Sequence, residues 1–555
     1  MREITYTAKQ AEASARSSID PVLVTEGYSL IAKEKELSFR QALRYHWRAF
    51  LWSMFLSLAL VMDGYDGSII NSFFGLPSFL ERFGIPNAAG VKSIPTDYQA
   101  AFQNVGLPGA FIGLFLCGWG QERFGSRKTY MSGMVACIAI VFLFVFAQSL
   151  GMLLGAQAIS SACWSLFNTL SAAYAAEICP IQLRGVAASF ISMCWGMGGF
   201  IASGVNRGAL SIPGDWGWRM AYMVQWVWPV PLLIGTYFAP ESPWWLVRKG
   251  RIEEAKRTLT RNACPGYWDN RNIDAYIAVI QHTDEIEKIE AAKGSFWDLW
   301  RGSNLRRTEV EMGVWAMQVL SGTAMTAYAV QFLQSAGMSV TTSFNLNIVI
   351  TAMNLADHAI GCGIEFGLIT RIGRRPLILW GMVILGICLA IIGILGSIPA
   401  SVGTLAGTGA CCAIINLVYH ATVGPVTYTV AAEVPASRVR ARTVAFGRAF
   451  YVICYNATSQ LTPRMVSDGI GGWGWKGKAA FFWLGFNVLV TTWAYFRMPE
   501  TGGFSFADLD VLFANKVPAR EFTKVRIIRI EEEESTELDG KDEEAKAEAQ
   551  HVELR

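Results

Sequence analysis

The sequence predicts an all-α membrane protein whose twelve transmembrane helices form two six-helix halves. Three observations carry this prediction. First, 52% of the 555 residues are hydrophobic and 16% are charged, whereas soluble domains carry about 25% charged residues. Second, twelve largely apolar stretches with few charges are long enough to cross a bilayer, which takes about 20 apolar residues. Third, short motifs of the first half recur in the second half.

The chain opens with a polar segment, residues 1–48, which we expect to be a cytoplasmic tail. Its basic residues precede any long apolar stretch: Lys33, Lys35, Arg40, Arg44 and Arg48. A cleavable signal peptide would place its apolar stretch earlier. The first membrane helix is therefore expected to act as its own anchor.

The membrane helices fill residues 49–239 and 311–497. Numbered span 1 to span 12, they cover approximately 50–72, 98–119, 129–149, 151–175, 186–206, 218–239, 311–335, 343–369, 376–397, 402–431, 444–466 and 478–497. Residues 240–310 are charged and predicted to form a mostly helical linker. Residues 498–555 form a tail whose last part, 531–555, holds 11 acidic residues, and this part is predicted to be disordered.

Basic residues in the short links set the orientation. The links after spans 2, 4, 8 and 10 carry them: Arg123, Arg127 and Lys128, then Arg184, then Arg371, Arg374 and Arg375, then Arg438, Arg440 and Arg442. The links on the other side are poorer in Lys and Arg. By the positive-inside tendency, these links, the linker and both termini are expected in the cytoplasm, in a multi-pass plasma-membrane protein.

An internal repeat indicates that one six-helix unit has been duplicated. RFGSRK (123–128) matches RIGRRP (371–376), AAEICPIQLRG (175–185) matches AAEVPASRVRA (431–441), and PESPWW (240–245) matches PETGGF (499–504). The motifs bring acids and guanidiniums to the cytoplasmic helix ends: Arg123, Glu177, Arg184, Glu241, Arg374, Glu433, Arg440 and Glu500. We expect them to form a cytoplasmic gate at the seam between the halves. The alternative is that the basic residues only anchor the topology.

The motifs resemble those of the sugar porter branch of the major facilitator superfamily. The resemblance rests on GYD (64–66), the two basic links, PESPWWLVRKGR (240–251) and PETGGFSFADLDVLF (499–513). Three further segments are similar to fungal maltose-type α-glucoside:proton symporters: EVPASRVRARTVAFGRAFY (433–451), YNATSQLTPRM (455–465) and LFANKVPAREF (512–522). The resemblance implies a major facilitator fold, alternating access and symport with a proton.

Several positions depart from the wider family's pattern. Gln157 stands where many relatives have an arginine facing the span 1 aspartate, and Ser192 replaces a sugar-binding amide. In span 7, QVLSGTA (318–324) keeps the first glutamine of the family's motif and loses the second glutamine and the asparagine. Tyr428 replaces a tryptophan, and Thr370 replaces the acid of the link after span 8.

Charged residues inside the membrane are the candidates for proton coupling, because each costs about 2.5 to 3.5 kcal/mol on insertion scales. Asp63 and Asp66 lie three residues apart, on one face of span 1. The resemblance makes Asp66 the proton-linked carboxylate. Alternatively, both acids bind water or cap a broken helix. Asp357 and His358 in span 8 are further candidates, since ionised Asp357 needs a partner and an imidazole exchanges protons near neutral pH.

The candidate substrate-binding residues are polar or aromatic side chains of the spans. They are Gln157, Ser192, Gln318, Tyr328, His420, Tyr428 and Asn456, with Trp195 as an apolar platform. Amides donate to and accept from hydroxyls, and aromatic faces cover sugar rings. For the histidines and Trp195, a purely structural role is the alternative.

The predicted function is secondary active transport, most concretely the proton-coupled uptake of an α-glucoside or another sugar. No nucleotide-binding loop, metal-binding motif or catalytic motif is found in the sequence, so we expect no enzyme activity, cofactor or metal. The net charge of +3 argues against a nucleic-acid partner. Two alternatives are transport of a non-sugar metabolite and a nutrient sensor that does not transport.

Overall fold

The computed structural model describes residues 2–7, 20–86, 90, 92–293, 296–436, 439–467, 469–502, 504 and 506–530. Among these, the side chains of residues 2–7, 35–36, 181, 185, 188–189, 286–293, 296, 327, 357–371, 441, 506–507 and 526–530 lie outside the description. The acidic stretch 531–555 also lies outside it.

The first half begins with a helix that precedes span 1. This helix is α1 (Pro21–Glu36). Span 1 consists of α2 (Phe39–Ser57) and α3 (Ala59–Phe73), and α4 (Pro77–Phe83) follows it. Spans 2 to 5 are α5 (Thr96–Asn104) with α6 (Gly106–Phe124), α7 (Ser126–Val145), α8 (Leu150–Ile178) and α9 (Ile181–Ala209). Span 6 is α10 (Trp216–Met223), a 3₁₀ turn (Val224–Val227) and α11 (Pro229–Phe238).

The linker is helical, as predicted. It contains α12 (Pro243–Arg248), α13 (Ile252–Asn262), α14 (Asn270–Lys293) and a 3₁₀ turn (Phe296–Trp300). These helices bury a small apolar core of their own around Leu246, Leu259 and Ile277. The linker is therefore a folded unit at the end of the bundle that carries the basic links.

The second half repeats the arrangement. Span 7 is α15 (Ser303–Leu320), α16 (Ala324–Ala327) and α17 (Ala329–Ser335), span 8 is α18 (Val340–Ile372), and span 9 is α19 (Arg374–Leu395). Span 10 is α20 (Val402–Val418), a π-helical turn (Tyr419–Val423) and α21 (Gly424–Glu433). Span 11 is α22 (Arg440–Val466), and span 12 is α23 (Ala479–Arg497), preceded by a 3₁₀ turn (Lys476–Lys478). The helix α24 (Phe506–Ala514) and a 3₁₀ turn (Ala519–Lys524) close the half.

Strands are few in the described part of the chain. β1 (Arg2–Thr7) pairs in parallel with β4 (Val525–Ile530), with Arg2 opposite Val525. β2 (Ile85–Pro86) pairs with β3 (Lys92–Ser93) in the antiparallel direction. The regular structure of the described residues is therefore helical apart from two short ladders.

All twelve predicted spans are helical, which confirms the sequence prediction. Two large apolar cores follow the division into halves, one built mainly from spans 1 to 6 and the other from spans 7 to 12. In the part of the chain that the structure describes, six stretches are long and apolar enough to cross a membrane on length and composition alone, and they correspond to spans 2, 3, 4, 9, 10 and 12. The other spans carry more polar residues or are interrupted, as spans 1, 6 and 7 are.

Several helices begin at side chains that accept backbone N–H groups. The Ser38 side chain accepts from Gln41 N, and the Gln41 side chain accepts from Ser38 N, which forms a capping box at the start of α2. The Ser149 and Ser401 hydroxyls cap spans 4 and 10 in the same way. Local sequence therefore fixes where these helices start.

The N-terminal helix α1 docks on α14 of the linker, a contact that the sequence analysis did not anticipate. Gly27 permits the approach, because a Cβ there would lie 2.4 Å from Ala275 O. Arg271 Nε donates to Glu26 at 3.0 Å, and this pairing lowers the pKa of Glu26. Helix α1 is thus bound to the linker.

His46 lies at the junction of α1, span 1 and the linker, ahead of the predicted membrane segment. It is 6% exposed and has non-helical backbone angles inside α2. Its Nε2 lies 3.7 Å from Glu34 Oε1, and Tyr267 Oη donates to the same oxygen at 2.9 Å. Burial lowers the pKa of His46 to about 4 and raises the pKa of Glu34, against the hydrogen bond from Tyr267.

We expect His46 to make the protein less stable in acid. Because its folded pKa lies below the unfolded value of 6.5, its contribution is fully present above pH 6.5 and is lost as the pH falls toward 4, up to about 3 kcal/mol. The raised pKa of Glu34 offsets part of this loss. Thermal unfolding of the His46→Gln variant should therefore depend less on pH between 7 and 4.5 than that of the wild type. The control is His282→Gln, in the linker; an equal change in that variant would remove His46 as the cause.

Candidate functional site

Asp66 lies in a cage of neutral hydrogen-bond donors. It is 1% exposed. From span 4, Gln157 Nε2 and Trp164 Nε1 donate to Oδ2 at 2.8 and 3.1 Å. From the 3₁₀ turn of span 6, Gln225 Nε2 donates to Oδ1 at 2.8 Å. Among the described residues, no ion pair involves Asp66.

The two glutamines of this cage keep unused acceptors. Gln157 Oε1 and Gln225 Oε1 are buried, and among the described residues neither has a hydrogen-bond partner. An amide can present either its NH₂ group or its oxygen after a 180° rotation. The cage can therefore donate to a carboxylate and can also accept from a protonated carboxyl group. An arginine could only donate.

Asp63 lies one turn before Asp66 and has a different partner. Trp195 Nε1 of span 5 donates to Asp63 Oδ2 at 2.9 Å. Glycines bring the two helices together, since a Cβ on Gly64 would lie 2.4 Å from Trp195 O and one on Gly198 would lie 2.2 Å from Val61 O. Small residues at a membrane helix interface permit such close approach.

The candidate substrate-binding residues fall into separate environments. Gln157 contacts Asp66, as described. Gln318 is 5% exposed, and its Nε2 donates to Gly424 O at 2.9 Å, which links spans 7 and 10. Asn456 Nδ2 donates to Val452 O within its own helix at 2.9 Å. Ser192 is half-buried on span 5, one turn before Trp195.

Aromatic residues of the second half form a cluster around Trp315 of span 7. Tyr428 packs edge-on against the Trp315 ring at 5.0 Å and is 46% exposed. Tyr451 packs against the same ring at 5.7 Å, and the Arg448 guanidinium lies 4.7 Å from its centroid. Of the predicted residues, only Tyr428 belongs to this cluster.

Two other predicted residues mark irregular backbone. Tyr328 separates α16 from α17 and is 3% exposed; among the described residues its hydroxyl has no hydrogen-bond partner. His420 lies in the π-helical turn of span 10, edge-on to Tyr419 at 5.2 Å. The side chains of Asp357 and His358 lie outside the described residues, so their predicted roles remain predictions.

Sequence reasoning missed three residues of these environments. Trp164 and Gln225 complete the cage around Asp66. Glu311 of span 7 is fully buried and accepts from Trp315 Nε1 at 2.9 Å, and Gly447 of span 11 leaves room for its side chain. Glu311 is the first residue of the predicted span 311–335, a position at the membrane surface where an acid needs no buried partner. For Gln225, the signal in the sequence was a polar amide side chain within an otherwise apolar span.

The repeated motifs make equivalent contacts in the two halves. Glu241 accepts from Arg127 N at 3.3 Å, and Glu500 accepts from Arg374 N and Arg375 N at 2.9 and 3.0 Å. Each acid thus caps the first turn of the third span of its half. Glu241 caps α7 (span 3), and Glu500 caps α19 (span 9). Burial raises the pKa of Glu241, against the N–H groups of Ser242 and Arg127.

Gly125 and Gly373 make this capping possible. Their φ angles are +89° and +93°, a region that favours glycine. A Cβ on either would lie 2.6 Å from an oxygen of its capping glutamate. The repeat therefore encodes a helix cap as well as a basic link.

The remaining gate residues lie on the same helix ends. Arg374 pairs with Glu433 at 3.0 Å, and both belong to the second half. Arg184 Nε donates to Cys179 O at 2.9 Å within the first half, and the Arg123 guanidinium lies over the Trp119 ring. Glu177 lies in the last turn of α8, and Arg440 is the first residue of α22. The contacts described here connect helices within one half, and the gate at the seam between the halves stays a prediction.

We expect the Glu500→Ala variant to lose thermal stability, because it leaves two N–H groups at the start of α19 without their acceptor. The free energy of unfolding should fall by about 2 kcal/mol. Glu241→Ala should have a similar effect, because it removes the acceptor at the start of α7. Fluorescence-detected size exclusion after heating measures the effect. Glu253→Ala, whose side chain is 77% exposed, is the control. Unchanged stability of both cap variants would contradict this role.

Hydrogen bonds join the two halves at the end opposite the basic links. Tyr455 Oη of span 11 donates to Gln103 Oε1 of span 2 at 3.0 Å, and Ser459 Oγ donates to Asn104 Oδ1 at 2.9 Å. On the other flank, Asn347 Nδ2 of span 8 donates to Ser203 Oγ of span 5 at 2.9 Å. At this end the halves are therefore in contact along both flanks.

Comparison with known proteins places these features in a family. The family model described as "Sugar (and other) transporter" matches residues 52–513. The general alpha-glucoside permease of Saccharomyces cerevisiae is 33% identical over 499 residues, which cover 88% of this chain and 79% of the permease. The maltose permease MAL31 of the same species is 31% identical over 500 residues, 89% of this chain and 80% of the permease.

Solved structures share the fold. The xylose transporter XylE from E. coli, in a partially occluded inward-open conformation, superposes with a TM-score of 0.65 at 18% identity, covering 83% of this chain and 99% of that chain. A second XylE structure, a proton:xylose symporter bound to 6-bromo-6-deoxy-D-glucose, gives a TM-score of 0.63 at 20% identity, covering 84% and 99%. At this identity the likeness concerns the fold alone, and it confirms the predicted major facilitator architecture.

Proposed function

Since this chain belongs to the sugar transporter family of the major facilitator superfamily, we propose that it takes up an α-glucoside together with a proton. The chain is a multi-pass membrane transporter and not an enzyme. To this family assignment the proposal adds the class of substrate, the coupling ion and the direction of transport. We place the protein in the plasma membrane with both termini in the cytoplasm, following the basic links.

The observation that carries proton coupling is the cage around Asp66. A carboxylate with a fixed guanidinium beside it would stay ionised, because the neighbouring positive charge favours the anion. Here the donors from Gln157, Trp164 and Gln225 are all neutral. Adding a proton to Asp66 therefore makes the whole cage neutral. With an arginine in the cage, the same protonation would leave the guanidinium without a counter-charge.

The glutamines let the cage hold either form of Asp66. When the carboxylate is charged, their NH₂ groups donate to it. When it is protonated, rotation of one amide presents Oε1 of Gln157 or Gln225 to the new O–H group. Both oxygens lack a partner among the described residues, so the rotation breaks no other hydrogen bond there. This reversible exchange is what a proton carrier requires.

The α-glucoside assignment is supported by the relatives' names and by the chemistry of the inner side chains. The permeases aligned with this chain are described as alpha-glucoside and maltose permeases. Tyr428 presents a partly exposed aromatic face, as sugar rings require. We assign sugar contact to Tyr428, Gln318 and Asn456, with Trp195 beside Asp63.

The driving force suffices for concentrative uptake. One pH unit supplies about 1.4 kcal/mol, and 100 mV adds about 2.3 kcal/mol per charge moved. At about tenfold per 1.4 kcal/mol, their sum supports roughly several-hundredfold accumulation.

A transport panel in proteoliposomes tests the proposal. Purified protein is supplied with labelled maltose and other α-glucosides, with glucose, and with non-sugar metabolites, each with and without an inward pH gradient. We expect α-glucoside accumulation that collapses with a protonophore. Flux of a non-sugar metabolite without α-glucoside flux would overturn the substrate assignment. Binding without flux of any compound would favour a sensor.

A further inference from the structure

A groove runs along the outer face of the first half, near the basic end. It encloses about 700 Å³ between span 1, span 5 and the linker helix α13. Apolar side chains line most of it, and two arginines lie at one end; its wall includes Trp47, Arg48, Leu51, Leu58, Phe190 and Arg261. Neither the proposed transport site nor the gate uses these residues.

The groove faces the lipid side of the bundle. Leu51 and Trp47 are 52% and 43% exposed, whereas Ala49 and Leu56 on the other face of α2 are fully or almost fully buried. Span 6 forms the neighbouring periphery, because Phe55 of the groove wall lies against Gly235 of α11. An apolar trough open to the bilayer suits an acyl chain.

The two arginines carry charge that no carboxylate of the described residues pairs with. Arg48 lies 5.5 Å from the Trp47 ring centroid, and its Nη1 lies 3.5 Å from Arg261 O. Arg261 Nη2 donates to Phe238 O at 2.9 Å. Within the described residues, neither guanidinium forms an ion pair with a carboxylate. Two guanidiniums beside an aromatic ring at the edge of the hydrocarbon match a phosphate headgroup.

We propose that this groove binds an anionic phospholipid of the leaflet at the basic end. Its acyl chain lies along Leu51, Leu58 and Phe190, and its headgroup phosphate contacts Arg48 and Arg261. Basic pockets between membrane helices bind acidic lipids in this way. Because Arg48 belongs to span 1 and Arg261 to the linker, the bound lipid bridges the two and holds the linker against the bundle.

Binding to the delipidated, full-length protein in detergent tests the proposal. Native mass spectrometry counts retained lipids during titration with phosphatidylserine or phosphatidylcholine, and thermal unfolding reports stabilisation. We expect phosphatidylserine to bind more tightly and to raise the melting temperature. Arg48→Gln and Arg261→Gln should each weaken its binding about fivefold, at roughly 1 kcal/mol per basic residue near the surface.

Two further variants keep the test decisive. Arg257→Gln alters an exposed arginine of the same helix α13 and should leave phosphatidylserine binding unchanged. Leu51→Trp fills the trough, keeps both arginines and should weaken binding. Equal affinity for the two lipids, or an equal loss in Arg257→Gln and the groove variants, would overturn the proposal, because either outcome means nonspecific adsorption. None of these measurements depends on which substrate is transported.

Discussion

We expect the Asp66→Asn variant to lose proton-driven accumulation while still moving substrate down its gradient. Asparagine has the shape of a protonated aspartate: its oxygen can accept from Gln157 and Trp164, which share one oxygen of Asp66, and its NH₂ group can donate to Gln225 Oε1 after an amide rotation. The cage would therefore remain satisfied, but it could no longer gain or lose a proton. Accumulation under a pH gradient and potential should fall from several-hundredfold to about onefold.

Paired assays separate coupling from general damage. Uptake at two external pH values measures accumulation, and substrate counterflow at equal pH measures exchange across the membrane. Asp274→Asn, at a linker residue that pairs with Lys256 at 2.8 Å, is the matched control and should accumulate normally. Unchanged proton-dependent accumulation by Asp66→Asn would remove Asp66 from the mechanism. Loss of counterflow as well would show that the charge is needed for binding or folding.

Locking the end opposite the basic links should stop transport almost completely. Ser459 Oγ and Asn104 Oδ1 are 2.9 Å apart across the two halves, and a cysteine at each position is the designed pair for a disulfide under oxidant, whose yield depends on the Cβ separation. If span 2 and span 11 must separate to admit substrate, the oxidised double variant is closed on that side. A reducing agent should restore uptake.

The single variants Asn104→Cys and Ser459→Cys control for pairing with native thiols such as Cys454, which is half-buried on span 11. Each should transport equally well with and without oxidant. Electrophoresis after proteolysis between the halves measures the crosslinked fraction. Normal uptake by fully crosslinked protein would mean that the halves need not part here, and alternating access in this form would be wrong.

The sequence predicted the architecture because each relevant signal is local. A run of apolar residues has to be long enough to cross the bilayer wherever the rest of the chain lies, and a repeated motif identifies a duplicated unit without coordinates. The capping serines at positions 38, 149 and 401 are likewise local. The spacing of Asp63 and Asp66 placed both on one helix, but it could not assign their partners.

The site partners required packing, and the repeat shows why. The motifs predict that Glu241 and Glu500 meet guanidiniums at the seam, and that gate stays a prediction; the motifs did not show a second role for these acids. In the folded chain they lie beside Gly125 and Gly373, whose backbone brings N–H groups within reach. A sequence shows that an acid and a base recur together, but not whether the acid contacts the side chain or the backbone.

The amino-acid sequence by itself determined that this protein is a two-half membrane transporter of twelve spans, with two acids on one face of span 1. Only the tertiary structure decided that Gln225 and Trp164 complete the environment of Asp66, that Glu311 is buried, and that two arginines meet beside an apolar groove. The physical reason is distance along the chain. Helix formation and membrane insertion depend on neighbouring residues, whereas hydrogen-bond partners from different helices are set by how those helices pack.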